Sequence, residues 1–425
     1  MQDNTIITID EKLTYHPGTQ RVYDSQATLK NLEGIQEHVG VSRIADITDL
    51  DRVGIPIIST IRPGAAKGAI SIYSGKGATM EQAHISGMME AVERTFAEHT
   101  PDYDPVSATY EEMAKKYRTL HPDELILPEP LAPSTILEWV VGYDMLNEIE
   151  VFVPANAVYH PYSPKLIPSI SGPAVPIFRS NTNGLASGNV LEEAILHAFL
   201  EVLERDALSV AEYSKMSGSE IIINEADGIL YDLKKKFDDA AVEVRIWLLP
   251  SDTGICTVVA ASDDTELKDP ALLVMGAGSH LKPEIAISRA LTEVAQSRVV
   301  QIHGAREDTD REEYARIIGY DTLRRMNKQW YDEPKTTVSV SELEDLSSGG
   351  PAENIRKVLE GIAKVANKAI IIDLSHDGIS IPVVRAIVPG FEQYTLDRER
   401  IGARAIEAKQ KVPRPKFVRK IRKRS

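Results

Sequence analysis

The chain has 425 residues, 43% of them hydrophobic, with 24 prolines, one cysteine and a formal net charge of −15 at pH 7. That length suffices for two or three packed subdomains, and no window of about 18 uncharged apolar residues offers a transmembrane helix. The negative charge argues against general nucleic-acid binding, and a lone Cys256 excludes an intrachain disulfide and a cysteine-built zinc cluster.

The first residues, MQDNTIITIDEKL, carry neither a basic start nor an apolar core, so no secretory signal is read there. With the single cysteine this is compatible with a reducing cytoplasm, the expected location. The first forty residues read as an extended lead-in. Ile55 to Ile61 and Ala69 to Ser74 read as strands, the second ending at Gly75-Lys76-Gly77. A helix is expected from about Thr79 to His99, with Thr79 and Gln82 spaced as a capping box. Residues 100–135 read as a proline-rich connection, followed by strands at Trp139 to Tyr143 and Glu150 to Pro154. Residues 160–188 read as a long Pro/Gly/Ser/Asn loop too polar for the core.

A second helix is expected from Asn189 to about Tyr213, with Glu192 completing a capping box. A helix ending near Phe237 and strands at Val242 to Leu249 and Cys256 to Ala261 then alternate, as in α/β architectures. A third helix starts at Pro283, a favourable first position, and runs to about His303. Residues 305–312 are charged, 331–352 read as a loop, and Ala369 to Asp373 and Pro382 to Val388 read as strands. No acidic residue follows Glu407, and the end, KQKVPRPKFVRKIRKRS, is strongly basic. It reads either as a solvated tail or as a docking arm for an acidic partner.

The three long helices carry related patterns: MEAVER at 89–94, LEVLER at 200–205 and TEVAQSR at 292–298. Their spacing is irregular, so they are not a solenoid; they reflect an old duplication or a repeated chemical need. At 100° per residue, Ser86, Glu90, Glu93 and Arg94 share one face of the first helix, and Ile85, Met89, Val92 and Phe96 face the core. On the second, Asn189, Glu193, His197, Glu201, Glu204 and Arg205 form a polar face opposite Ile195, Phe199, Val202 and Leu203. Each face has two readings: an ordinary solvated acidic surface, or carboxylates gathered for a divalent cation that relieves their repulsion. The loop SNTNGLASGN at 180–189 suits an anion at a helix start, and His197 reads as packed rather than ligating. The third helix adds Arg289, Glu293 and Gln296; Arg289 reads equally as a phosphate clamp or a salt-bridge partner. Lys76 lacks the surrounding residues of a phosphate-binding P-loop, though it remains a candidate phosphate contact. No dinucleotide fingerprint and no nucleophile elbow are present.

Three segments, GKGATMEQAHISGMMEAVERTFAEH at 75–99, SNTNGLASGNVLEEAILHAFLEVLERDALS at 180–209 and ISRALTEVAQSR at 287–298, resemble, in order and spacing, the signatures of the YcaO family. The resemblance covers roughly residues 50–390. It implies an α/β (α+β) fold of several subdomains: a lead-in at 1–50, a catalytic domain at 51–390, and a C-terminal helix and basic tail at 391–425. It also implies a non-P-loop ATP site, and ATP and Mg²⁺ as cofactors. ATP would phosphorylate a peptide-bond oxygen, a nucleophile would attack the amide carbon, and phosphate would leave. By motif, Lys76, Ser86, Arg94, Asn189 and Arg205 would contact nucleotide. Glu90, Glu93, Glu193, Glu201 and Glu204 would hold Mg²⁺, and Arg289 and Glu293 would complete the catalytic, phosphate end.

Azoline-forming members of the family end in a PxPxP motif. Here only Pro413 and Pro415 stand in a basic tail, and no peptide-docking domain is fused. The chain therefore resembles the methanogen branch that thioamidates a glycine in the alpha subunit of methyl-coenzyme M reductase. A sulfide donor, a TfuA-type helper and a homodimer are partners that this resemblance implies, with no nucleic acid and no membrane. An azoline-forming cyclodehydratase and an accessory protein that binds ATP without modifying a peptide are the alternatives. Cys256, in the apolar run ICTVVAA, reads as a core residue.

Overall fold

The computed structural model describes residues 7–98, 105–164, 173–305 and 310–412. The tail from Pro413, the centre of the Pro/Gly-rich stretch (165–172) and part of the charged stretch (306–309) lie outside the described residues. In chain order the elements are α1 (Ser25–Leu32), α2 (Ile35–His38), β1 (Arg43–Asp46), β2 (Ile57–Ile61), β3 (Ile72–Lys76) and α3 (Met80–Ala97). They continue with β4 (Val106–Thr109), α4 (Tyr110–Ala114), β5 (Ile136–Asp144), β6 (Ile149–Pro154), β7 (Leu185–Ser187) and α5 (Leu191–Ser214). Next come β8 (Ser219–Ile222), α6 (Ile229–Asp239), β9 (Glu243–Leu248), β10 (Cys256–Asp263), β11 (Met275–His280) and α7 (Pro283–His303). The last elements among the described residues are α8 (Asp310–Ile318), α9 (Tyr320–Met326), β12 (Thr337–Ser339), α10 (Pro351–Ala363), β13 (Ile370–Asp373), β14 (Val383–Ile387) and α11 (Ala403–Lys411).

These strands form three sheets, in the orders β1-β2-β3, β11-β10-β9-β8-β12 and β4-β5-β13-β14-β7, with β6 pairing β5. The fold is a mixed α+β one. Its strand pairs are antiparallel except β12 with β8. The alternation of strands and helices therefore does not build a parallel sheet. Parallel neighbours need a crossover that returns to the same sheet, whereas α3 and α5 each carry the chain out of one sheet and into another.

Three edge strands lie at the heart of the arrangement. β3, β7 and β11 each end a sheet, and each feeds directly into a long helix: α3, α5 and α7. Helix α3 packs on β3 and reaches β7, α7 packs on β11 and reaches β3, and α5 lies between β7–β14 and β10–β11. The three helices that share a sequence pattern are thus drawn to one junction. Glycines permit the close crossings. A Cβ on Gly75 would lie 2.1 Å from Ala83 O, and one on Gly278 would lie 2.1 Å from Ala286 O. Sandwiched between two sheets, α5 is buried nearly all round, including Ile195, Phe199, Val202 and Leu203. Burial of each such side chain stabilises the fold by about 1.5–3 kcal/mol, which offsets the desolvation of the carboxylates the helix also carries.

The structure corrects several expectations. The first forty residues are not a mere lead-in: they include α1 and α2, and the Asp10 and Val22 amides donate to Glu192 and Glu193 at 2.7 and 2.5 Å. Residues 100–135 contribute β4, which pairs with β5. The 160–188 stretch ends in the buried strand β7, because backbone pairing with β14 rather than side-chain hydrophobicity holds it. Among the residues expected to face the core from α3, Val92 and Phe96 do so, but Met88 is more buried than Met89. Helix α5 starts one residue later than the Asn189 cap implied, and its Val190 cap makes no side-chain bond. Glu193, not Glu192, closes onto the Asn189 amide at 3.0 Å.

Candidate active site

Thr79 caps α3 by accepting the Gln82 amide at 3.3 Å, which fixes where the helix begins and so where its polar face points. Along that face Ser86 is half-buried, and Arg94 Nη2 bonds Glu90 Oε1 at 3.1 Å. Glu93 Oε1 accepts both the Ser187 amide and its hydroxyl at 2.8 Å, which ties α3 to β7. Burial pushes the Glu93 carboxyl up to about 8; the Ser187 bonds oppose the shift and the charges of Glu90 and Glu201 add to it.

On α5, burial raises Glu201 to about 7 although Arg205 pulls it down. Glu204 is 2% exposed and also raised by burial; its Oε1 lies 3.3 Å from Arg205 Nη2, and its Oε2 has no partner. At the start of the helix, Asn189 N and Nδ2 both donate to Glu193 Oε2 at 3.0 Å, leaving the buried Asn189 Oδ1 unpartnered. Glu193 differs from the other glutamates. Its second oxygen takes the Val22 amide, and Arg21 stands 3.8 Å away, so its charge is already compensated.

The third helix closes the cluster. Lys76 Nζ, at the end of β3, bonds Glu293 Oε2 at 2.5 Å, and Arg205 Nη2 lies 3.7 Å from Glu293 Oε1. Burial alone would raise Glu293, but Lys76 and Arg205 hold it down to about 2. Arg289 Nη1 donates to His197 Nε2 at 2.9 Å. Burial, reinforced by Arg289, keeps His197 well below its ordinary range, so the imidazole is neutral and can accept. Gln296 Nε2 donates to Ser74 O and steadies the strand that carries Lys76.

Glu201, Glu204, Arg205, Arg289 and Glu293 therefore share one electrostatic cluster with Lys76, Glu93 joins it through Glu201 and brings in Glu90 and its partner Arg94, and Glu193 stands apart with Arg21. Lys76 stands in a strand rather than a turn. Arg289 resolves as a partner of His197 rather than of a carboxylate among the described residues. Sequence reasoning missed Arg385 on β14, whose charge reaches Glu201, and Ser187, which fixes Glu93. Arg385 stands within a strand that the sequence did reveal, in an otherwise apolar run, and such a lone charge was the available signal.

The cluster fits a nucleotide with its cation. Raised carboxylates and an unpartnered Glu204 oxygen await positive charge, while Lys76, Arg205 and Arg289 offer donors to phosphate. No three acidic or histidine side chains among the described residues form a ready-made metal cage.

Residues 74–392 match the family model described as YcaO cyclodehydratase, ATP- and Mg²⁺-binding. An uncharacterized protein of Methanothermobacter thermautotrophicus is 48% identical over 395 residues, covering 92% of this chain and 98% of its own. An uncharacterized protein in the tfuA 3′ region of Rhizobium leguminosarum is 28% identical over 83% of this chain and 84% of its own. The structure of YcaO from Methanopyrus kandleri bound with AMPPCP and Mg²⁺ superposes with a TM-score of 0.74 at 30% identity, covering 90% of this chain and 95% of that one.

Proposed function

The chain belongs to the YcaO family, whose model is that of an ATP- and Mg²⁺-binding cyclodehydratase, and on that premise we propose that it activates a peptide amide with ATP and exchanges its oxygen for sulfur. The observation that carries this reading is the convergence of α3, α5 and α7 on one electrostatic cluster around Glu204, Arg205 and Glu293. The Methanopyrus kandleri protein, which holds AMPPCP and Mg²⁺, supports the same nucleotide here. Glu90, Glu93, Glu201 and Glu204 hold the cation, and Glu193 keeps Asn189 in place for the nucleotide. Ser86, Asn189, Arg94 and Arg205 bind nucleotide.

When bound, Mg·ATP supplies the phosphoryl group that turns an amide oxygen into a leaving group. An amide oxygen is a weak nucleophile, so its activation depends on close positioning and charge neutralisation. Lys76 and Arg205, drawn together by Glu293, neutralise phosphate oxygens from one side. Arg289, oriented by the neutral His197, does so from another. Sulfide then forms the C–S bond, the C–O bond breaks, and phosphate leaves.

The proposed substrate is a glycine in the alpha subunit of methyl-coenzyme M reductase, modified in the cytoplasm. The relative in the methanogen Methanothermobacter thermautotrophicus supports that branch. The Rhizobium relative lies in the tfuA 3′ region, which supports a TfuA-type helper as sulfur donor. A homodimer belongs to the same reading. Within the chain, residues 51–390 form the catalytic domain, flanked by segments 1–50 and 391–425.

The test is mass spectrometry of a reductase-derived glycine peptide incubated with the protein, ATP, Mg²⁺ and sulfide. A gain of about 16 Da that requires all three establishes thioamidation through phosphoryl activation. A loss of about 18 Da from a Cys, Ser or Thr peptide without sulfide assigns azoline formation instead.

A further inference from the structure

A narrow cavity adjoins this site, walled by Phe178, Asn181, Asn183, Arg385, Gln393 and Arg400 among others. Its two guanidinium groups are 4% and 1% exposed, yet neither has a carboxylate partner among the described residues. Arg385 bonds Ala157 O at 3.1 Å and Asn181 O at 2.9 Å, and its Nη1 is buried without a partner. Arg400 bonds Ile126 O and Gln393 Oε1, both at 2.9 Å, as well as Leu125 O, and stacks 3.9 Å over the Phe178 ring. The one acidic side chain in the wall, Glu124, is paired with Lys368 at 2.6 Å. Burial lowers Arg385 to about 10, with Glu201 pulling the other way, so it remains charged at neutral pH.

Two buried positive charges facing one cavity repel each other and leave a charged donor unsatisfied. Backbone carbonyls relieve part of that cost. A small anion relieves the rest. The free space holds about one or two water-sized groups, so nucleotide phosphates and peptides are excluded by size. A second orphan narrows the choice: Asn183 Oδ1 is a buried acceptor without a partner. A ligand carrying one negative charge and one proton to donate satisfies both atoms, and a halide satisfies only the guanidinium.

We propose that the cavity between Arg385 and Arg400 binds a halide-sized monovalent anion, with hydrosulfide as the anion its donor and acceptor fit. The choice of hydrosulfide rests on the thioamidation reading; the anion site itself does not. Cys256 is no alternative source, because burial pushes its thiol up to about 12 and it lies on β10.

Crystals of the full chain soaked in sodium bromide test this without turnover. The expected result is an anomalous peak within hydrogen-bonding distance of Arg385 Nη1 that sodium hydrosulfide displaces more effectively than sodium chloride does. Inorganic phosphate, being too large, should leave the peak in place. Arg385→Met should abolish the peak and raise KM for sulfide at least about tenfold, a change of about 1.4 kcal/mol. If that variant does not fold, Asn183→Leu should keep bromide and lose the preference for hydrosulfide. Water alone at Arg385 Nη1 in bromide-soaked wild-type crystals overturns the proposal. Displacement by phosphate or indifference to hydrosulfide overturns its identity as a sulfide site. Anion binding without thioamide formation would count against the activity reading and leave this one standing.

Discussion

On α5, Glu201 and Arg205 stand four residues apart; on α7, Glu293 and Arg298 stand five apart. That single residue turns the arginine about 140° away from its glutamate instead of about 40°. Arg205 therefore stays with Glu204 and Glu293 at the junction of the three helices. Arg298 swings into the opposite core, fully buried, and bonds Asp51 at 2.7 Å and Asp264 at 3.2 Å, with Arg52 reaching Asp264 from the rim. The two regions use the same chemistry for different ends. Around Arg298, two carboxylates meet two guanidinium groups and the charges balance, although Arg298 Nη1 is buried without a partner. Around Arg205, several carboxylates stay raised and one Glu204 oxygen has no partner. A balanced buried network holds subdomains together, and an unbalanced one waits for a ligand.

The comparison breaks most sharply at α5. Glu201→Ala and Glu204→Ala should each abolish ATP consumption, a loss of at least about 10²–10³-fold for an electrostatic contact made in the transition state. Thermal unfolding should be unchanged or shifted upward, because the variant removes a poorly compensated buried charge. Normal ATPase activity in either would remove the magnesium-site assignment. At α7 the outcome should reverse. Arg298→Met leaves Asp51 buried and unpaired and Asp264 with only its rim partner Arg52, and should cost about 3–5 kcal/mol of stability by denaturant titration. The fraction that remains folded should bind nucleotide normally.

Much of this contrast was legible in the sequence, and the reason is local. Helix periodicity places Glu90, Glu93 and Arg94 on one face, and Glu201, Glu204 and Arg205 on another, without reference to the rest of the chain. What was not legible depends on partners distant in sequence. Nothing local says that Asp51 awaits Arg298, 247 positions away. Nor does it say that Ser187, in a polar stretch, forms an edge strand and bonds Glu93. Glu193 has such a distant partner too: its spacing matches a ligand, and the Val22 amide from the first forty residues also donates to it. Periodicity finds which residues share a face; only packing decides whether that face is already satisfied.

Acid and base should then separate the two regions by sign. Glu93 and Glu201 titrate at about 8 and about 7 in the folded chain, against an ordinary 4.5. Between those values the folded state holds protons that the unfolded state has released, so stability falls as pH rises from about 4.5 to about 8, by no more than about 1.4 kcal/mol per pH unit for each group. Glu93→Gln with Glu201→Gln should flatten that slope in calorimetry, as should saturating Mg²⁺ and a non-hydrolysable nucleotide. Asp264 behaves oppositely. Burial would raise it, but hydrogen bonds from Arg52 and Arg298 hold it below its ordinary 3.8. Its contribution is complete above that value and is lost as pH falls through the lower folded one.

The smallest effect tests how far the balanced region extends outward. Arg52 bonds the same Asp264 at 2.9 Å as Arg298 does, but its side chain is 34% exposed. Water screens that pair and replaces it when it is lost, so distance alone is a poor guide to its worth. Arg52→Ala should cost no more than about 1 kcal/mol, shrinking further in high salt, whereas the Arg298→Met deficit should persist there. Equal costs for the two variants would mean that Asp264 depends on its rim partner as much as on its buried one. The difference between the regions would then lie in the number of charges rather than in their burial.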